Sequence, residues 1–511
     1  VLEQWNTVAG VKGTLAGWRY DAALTYGVNS IDDRYTSGFV YGSLIAPLLT
    51  SGRVNYFAPN TPDTVEALEA TQVNGTVRTG KSTLSMLDLH AWNSVFDLPA
   101  GPVSLALGAE ARQWRLTETS SAALAAGDIV QVGITPSMSA SRDILAVFAE
   151  ANAPLARNFE ANFALRFDHY SDVGSTTNPK VSLRWQPDRA LLFRASAGTG
   201  FRAPSLELLY QPPILGNTGP TTVVDPARCP TTAAARDCTL GFPARAGGNP
   251  DIQSESSSQW GFGGVWSPSP FVTIGADFFQ VVVDDLISGL TSQQILAGCP
   301  DGVNGGTCRM IVRGAQQAEY PQLPGPIQLI RVSLFNLGTI RTQGIDVAAQ
   351  LKSPKSAWGS FGLSMQGTYI LKYLQQQLDG SYLSMLNKEN NQGPSGAIPY
   401  WHHYLTLDWN YGPWAATLTE NFVKGVWDAS PDVTTGQPRR VGNYDIWNLS
   451  GSWSGLAGWQ FSLGVKNLFD RDPPFTNQSW TAANGAPAGY DPTYTNPIGR
   501  VFWGAIAYRF K

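Results

Sequence analysis

Polar and apolar residues alternate with a period of two along most of this chain. Trp18, Tyr20, Ala22, Leu24 and Tyr26 interleave with Arg19, Asp21, Ala23 and Thr25. Phe159, Ala161, Phe163, Leu165 and Phe167 interleave with Glu160, Asn162, Arg166 and Asp168. Val181, Leu183 and Trp185 alternate with Ser182, Arg184 and Gln186, and Phe361, Leu363 and Met365 with Gly362, Ser364 and Gln366. Successive side chains of a strand point to opposite faces, so each run predicts a strand with one greasy and one wet face. No persistent helical period is expected.

The connections alternate as well. Short turns are expected at Leu15-Ala16-Gly17, Pro99-Ala100-Gly101, Ala156-Arg157-Asn158, Pro187-Asp188-Arg189, Ser267–Pro270, Gly412-Pro413 and Leu456-Ala457-Gly458. Longer irregular segments fall near 30–80, 120–140, 203–252, 286–328, 375–397 and 470–497. Short turns at one end and long loops at the other predict an all-β, antiparallel, up-and-down transmembrane barrel. Trp18, Phe96, Trp185, Trp266, Trp358, Trp414, Trp453 and Trp459 flank the short turns, as an aromatic girdle at one membrane interface would. A soluble sandwich or propeller also alternates, but has no reason to alternate short and long connections over such a length.

Composition narrows this further. The 511 residues are 43% hydrophobic and only 14% charged, against about 25% charged for an average soluble domain. Mean hydropathy is still −0.13, and no run reaches the ~18 apolar residues of a spanning helix. Few charges without a greasy run is what alternation produces. Net charge is −4, which argues against nucleic acid as a partner.

Specific motifs then carry a family resemblance. "GTGFRAPSLELLY" (Gly198–Tyr210) resembles the barrel motif of TonB-dependent receptors, the energy-coupled importers of Gram-negative outer membranes. "GGNPDIQSESSSQWGFGGVWSP" (Gly247–Pro268), "FNLGTIRTQGIDVAAQL" (Phe335–Leu351), "VKNLFDRDPPF" (Val465–Phe475) and the terminal "NPIGRVFWGAIAYRF" resemble further family strands, in the family's order. Ser254 stands where the family usually has Pro. Phe502, Ile506, Tyr508 and Phe510 share one face of the last strand. They resemble the C-terminal signal that such barrels present to the barrel assembly machinery, with Lys511 following as a departure.

The resemblance implies a plug within the barrel, lipid around it, a small to mid-size ligand from outside, and the TonB–ExbB–ExbD complex as energy source. It implies no cofactor and no enzymatic activity. Ferric siderophores are the family's common cargo; a saccharide importer and a passive porin are the alternatives. About seventeen strands are expected against 22 for plugged transporters of this kind. Residues 1–511 are therefore expected to be one barrel domain lacking the plug, the TonB box and about five first strands.

Within the motif, Arg194, Gly198, Gly200 and Arg202 are expected to face the lumen, the glycines leaving room for another backbone. Phe201 should reach the outer interface. Ala203, Pro204 and Ser205 should end the strand, because Pro cannot donate to the ladder. Arg202 is expected either to touch plug or ligand or to be simply solvated. Loop residues Tyr35, Tyr41, Tyr56, Phe57, Gln375, Gln376, Gln377, Asn390 and Asn391 would suit stacking against and hydrogen-bonding a saccharide, or would pack on each other.

Other chemistry is sparse. "GTVRTGKS" (Gly75–Ser82) fits a phosphate-binding loop, yet alternation after it predicts a strand rather than the required helix. It reads as a coincidence in a Gly/Thr-rich loop. Among His90, His169, His402 and His403, only His169 has an adjacent carboxylate, Asp168, and neighbours on a strand point oppositely. No metal site is expected, and His402 and His403 read as solvated loop residues near a strand end. Cys229 with Cys238, and Cys299 with Cys308, each enclose eight residues in long loops. Even number and equal spacing point to two local disulfides in an oxidising compartment, with a metal site as the rival.

Overall fold

The computed structural model describes residues 2–218, 223–304, 306–377, 379–389, 396–428, 431–432, 434–477 and 489–510. Asn390, Asn391 and Lys511, singled out above, lie outside the described residues.

Seventeen long strands form one antiparallel wall, to which the three-residue strand Tyr382–Ser384 adds an eighteenth beside Leu374–Gln376. The seventeen are β1 (Leu2–Leu15), β2 (Trp18–Tyr35), β3 (Gly75–Leu98), β4 (Gly101–Ser120), β5 (Met138–Ala156) and β6 (Phe159–Tyr170). Then come β7 (Gly174–Trp185), β8 (Leu191–Arg202), β9 (Glu255–Ser269), β10 (Val272–Asp284), β11 (Ile340–Lys352) and β12 (Ser360–Gln376). The last are β13 (Trp401–Tyr411), β14 (Trp414–Val423), β15 (Tyr444–Trp453), β16 (Trp459–Lys466) and β17 (Val501–Tyr508). Each strand pairs antiparallel with the next in sequence, the meander that the turn pattern predicts. Among the described residues, β1 pairs only with β2 and β17 only with β16, and every residue of both strands is exposed. Among the described residues, no helix is long and apolar enough to cross a membrane.

The hairpin turns follow local chemistry. Between β1 and β2, Ala16 and Gly17 both take positive φ (49° and 83°). Two residues with positive φ match the right-handed twist of flanking strands. Outward-facing Phe163, Leu165, Phe167, Leu183, Trp185 and Phe193 are exposed, as a lipid-facing band requires. Next to the short turns, Trp414 approaches Trp453 (ring centroids 6.2 Å) and Trp459 approaches Tyr508 (4.8 Å), making part of the expected girdle.

Several expectations change. The segment near 30–80 is not loop throughout: β2 continues to Tyr35 and β3 begins at Gly75. With 24 residues, β3 far exceeds the ~9–11 that cross a bilayer, so the wall projects beyond it. "GTVRTGKS" therefore lies inside β3, with Lys81 opposite Ser30 and Ser82 opposite Asn29, and is neither a loop nor a phosphate site. One connection at the long-loop end, 171–173, is short, and a long one, 424–443, has no counterpart in the expected set. Short helices do occur in the outer segments, the longest being Gly42–Thr50.

The largest outer structure is a cap from segments 203–254 and 285–339. Its sheet has strands Ile214–Asn217, Pro243–Gly247, Ile287–Gly289, Ile311–Arg313 and Ile327–Asn336. Ile327–Asn336 is central, antiparallel to two neighbours and parallel to Pro243–Gly247, a departure from the all-antiparallel expectation. The cap has its own core, including Phe242, Ile295, Leu296, Met310 and Ile330.

Candidate functional site

The stretch Gly198–Tyr210 runs off the outer end of β8 into the cap, and its side chains explain the turn. Arg194 faces inward and donates to both oxygens of Asp277 on β10 (2.6 Å each). It reaches across β9, where Gly263 pairs with both residues. A Cβ at Gly263 would stand 2.2 Å from Asp277 Oδ1, so glycine there opens the path. Gly198 and Gly200 serve the sheet similarly: a Cβ would meet Lys180 and the Pro179 carbonyl at 3.2 Å in one case, and Ser257 Oγ at 2.9 Å in the other.

Arg202 is neither free nor merely solvated. It sits directly opposite Glu255 and donates through Nε to Oε2 (2.6 Å) and Nη2 to Oε1 (2.5 Å). Glu255 is buried and also accepts from the Ile287 backbone N–H (2.8 Å), which ties the strand ends to the cap. Phe201 stands edge-on to Tyr170 (5.7 Å). After Ala203, the Pro204 carbonyl accepts from Arg142 Nη2 (2.8 Å). Arg142 is itself buried, bonds Asp172 in the short 171–173 turn, and lies over the Tyr170 ring. Ser205 caps the helix Leu206–Tyr210, accepting from the Leu208 N–H. That helix buries Leu206 against Leu116 and Met138.

The motif stretches meet here. The Gly248 N–H donates to the Gln211 carbonyl and the Asn249 N–H to that of Leu208 (2.9 Å each). A Cβ at Gly248 would lie 2.7 Å from the Leu209 carbonyl group, so only glycine fits. Asn249 Nδ2 donates to the Leu334 carbonyl (2.8 Å), and Asn336 exchanges hydrogen bonds with the backbone of Gln253. "GTGFRAPSLELLY", "GGNP" and "FNLG" thus form one interlocked rim. The C-terminal group is separate, on the wall's last strand, with Phe502, Ile506, Tyr508 and Phe510 all exposed.

Both expected cysteine pairs are disulfide-bonded, Cys229 to Cys238 and Cys299 to Cys308, and no described cysteine is free. Arginines lock the cap further. Arg228 is 0% exposed and donates to Asp237 (3.2 Å), the Pro324 carbonyl (2.6 Å) and Gln317 Oε1 (2.5 Å). Arg313 grips Asp225 with both Nη atoms (2.7 and 3.0 Å).

Sequence spacing missed an inward-facing charge network. Arg166 binds Glu110 and Asp168 at once, and Arg112 also reaches Glu110 (3.1 Å). His90 lies 3.0 Å from Asp21, with Asp88 and Glu110 close enough for the three side chains to share a cation. Register across β2, β3 and β4 creates that grouping, which no linear spacing records. His402 and His403 lie in β13, not in a loop, and His403 contacts Glu420 (3.2 Å) and Trp401 Nε1 (2.8 Å). Of the loop aromatics, Tyr35 and Tyr41 pack on a small core around Val73 and Ile129. Tyr56 and Phe57 face solvent, Phe57 at 99% exposure.

Known proteins share this architecture. The ferric enterobactin receptor of Pseudomonas aeruginosa, in a mutant form, superposes with a TM-score of 0.63 at 18% identity, over 100% of this chain and 62% of that one. The siderophore receptor PirA of Acinetobacter baumannii gives 0.62 at 14% identity, again over 100% and 62%. The FrpB iron transporter of Neisseria meningitidis gives 0.58 at 13%, over 99% and 64%. The chain thus spans somewhat under two thirds of the length of these structures. Residues 3–468 match the family model described as TonB dependent receptor-like, beta-barrel. With the seventeen-strand meander and the interlocked rim, that match makes this chain a member of the TonB-dependent receptor β-barrel family, a barrel of the Gram-negative outer membrane.

Proposed function

We propose that the protein is the barrel of an energy-coupled importer of a scarce ligand, a ferric siderophore or similar iron complex. The observation that carries this is family membership over nearly the whole chain. The iron assignment is supported by structures of the same fold that are named siderophore and iron receptors. On this reading residues 1–511 act as one barrel domain, with the cap as an insertion. Ligand lands on the outer segments and on a plug, and TonB–ExbB–ExbD supplies the work that moves the plug. Arg202 holds the rim to the cap through Glu255 and so sets where cap and plug surfaces meet. Phe510 and its neighbours on that face present the chain to the barrel assembly machinery. The protein works as a transport receptor, not as an enzyme.

A second reading, saccharide import, is favoured by the solvent-facing rings of Tyr56 and Phe57. Such rings suit stacking on sugar faces. The test is uptake by cells with and without the intact gene, using radioiron-loaded siderophores in one arm and labelled oligosaccharides in the other. Gene-dependent radioiron uptake is expected. Gene-dependent uptake of oligosaccharide alone would replace the iron reading with the second.

A further inference from the structure

A polar pair stands on the lipid side of the wall. Outward-facing Phe193 lies opposite Gly264, and the row continues across the sheet through Ala276, Val347, Gly367 and His403 to Phe422. Residues directly opposite each other share a face, so His403 and Phe422 point outward as Phe193 does. Period two adds Trp401 beside His403 and Glu420 beside Phe422. Further down the same face, Leu405, Leu407 and Leu418 lead to Tyr411 and Trp414 at the short turn. β13 has 11 residues, about what a tilted strand needs to cross a bilayer. Tyr411 and Trp414 mark one interface, so Trp401 marks the other, and His403 with Glu420 sits just inside it.

The pair is firmly placed. Trp401 Nε1 donates to His403 Nδ1 (2.8 Å). An indole N–H can only donate, so Nδ1 accepts and the Nε2–H is left to donate to Glu420 Oε2 (3.2 Å). Phe422 stacks on the imidazole at 5.0 Å, and Trp401 covers it at 5.7 Å. Gly367 makes the room: a Cβ there would stand 2.4 Å from the Trp401 indole. Among the described residues, His403 is the one polar side chain that meets Glu420. The second oxygen of Glu420 bonds to none of them and is not sealed off from the surface. A carboxyl group on a lipid face is unfavourable unless something polar meets it. Acyl chains supply nothing of the kind; the head groups at this level do.

We propose that Trp401, His403 and Glu420 bind the sugar head of an outer-leaflet glycolipid. The outer leaflet of a Gram-negative outer membrane is built largely of lipopolysaccharide, whose acylated anchor is an amino sugar with hydroxyl and amide N–H donors. Glu420, steadied by His403, offers the acceptor for such a donor. Trp401, and Trp447 opposite Glu420, offer ring faces at the depth where amphipathic aromatics settle. The triad contains a carboxyl and neither lysine nor arginine, so the sugar rather than a phosphate is the part recognised.

The test uses the full-length receptor purified from outer membranes, delipidated in detergent and titrated with a short-chain lipopolysaccharide under native mass spectrometry. Saturable lipopolysaccharide binding is expected. Glu420→Leu suits a lipid face, so the barrel should keep its heat-modifiable migration, while binding weakens about tenfold with loss of the acceptor. His403→Phe should weaken it in the same direction. His402→Ala, on the lumen side of the same strand, should leave it unchanged. Equal binding by Glu420→Leu overturns the proposal, as does equally tight binding of phosphatidylethanolamine, which has no sugar. A receptor dimer that forms without lipopolysaccharide and is dispersed by Glu420→Leu assigns this face to a second copy of the chain and overturns it too.

Discussion

The cap and the acid junction, where Ala397, Val426 and Val441 pack with Tyr494 beside the buried Glu389 and Asp491, solve the same problem differently. Both bring together chain from different strand pairs, outside the wall and beyond lipid. In the cap, an apolar core around Ile295 and Ile330 is stapled by two disulfides. Its buried acids each face an arginine: Asp237 has Arg228 and Asp225 has Arg313. In the junction the core shrinks to Ala397, Val426 and Val441 beside Tyr494, neither disulfide lies in it, and Asp428 is paired with Arg439. The cap is locked by covalent bonds and buried ion pairs, whereas the junction is held by hydrogen bonds around buried acids and one small apolar contact.

The largest effect should come from the cap's buried cation. Arg228→Ala removes the buried guanidinium that donates to Asp237 and leaves the Pro324 carbonyl without its donor, while Gln317 keeps only the more exposed Arg236. Breaking a buried pair by removing one partner costs about 3–5 kcal/mol. Hydrogen exchange of the Phe242 and Ile330 amides should rise accordingly, while the acid junction stays as protected as before. Equal loosening of both regions would show that they are not independent.

Removing a staple should cost less. Paired replacement of Cys299 and Cys308 by Ser opens a short ring, worth about 2–3 kcal/mol by loop entropy. Protease cleavage within 285–339 should then become easier, and non-reducing peptide maps of the native protein should recover both local pairs. Cross-pairing between the two loops would contradict the structure. At the rim, Arg202→Ala leaves the buried Glu255 with only the Ile287 N–H, costing about 1–3 kcal/mol. Local exchange at Glu255–Ser258 reports it. Arg194→Ala removes a more exposed pair and should cost only about 0–1 kcal/mol. If Arg194 outweighed Arg202 in that assay, the rim would not be the anchoring point.

How much of this the sequence shows depends on the range of each interaction. Alternation marks wall strands because every residue there chooses between lipid and water. The choice is local, so the count of seventeen and the hairpin order follow from it. Both disulfides are equally local, nine positions apart. The signal fades where both faces are wet. The outer third of β3, "GTVRTGKS", has no greasy side and passes for a loop. The cap's parallel pairing and the grouping of His90 with Asp21, Asp88 and Glu110 depend on register between strands. The acid junction joins Glu389 to Asp491 across about a hundred residues. None of these is written in any single stretch. The rim is intermediate: its motif residues are visible in sequence, but the partners of Arg202 and Pro204, namely Glu255 and Arg142, are not.

The central claim is that a ligand crosses this barrel only when work is done on it. In the full-length protein, ligand binding and ligand import are measured separately, in cells with TonB and in cells lacking it. Binding should be unchanged without TonB, and import should stop, because a filled lumen offers no passive path. Import that continues at the same rate without TonB would contradict the account and make the barrel a porin.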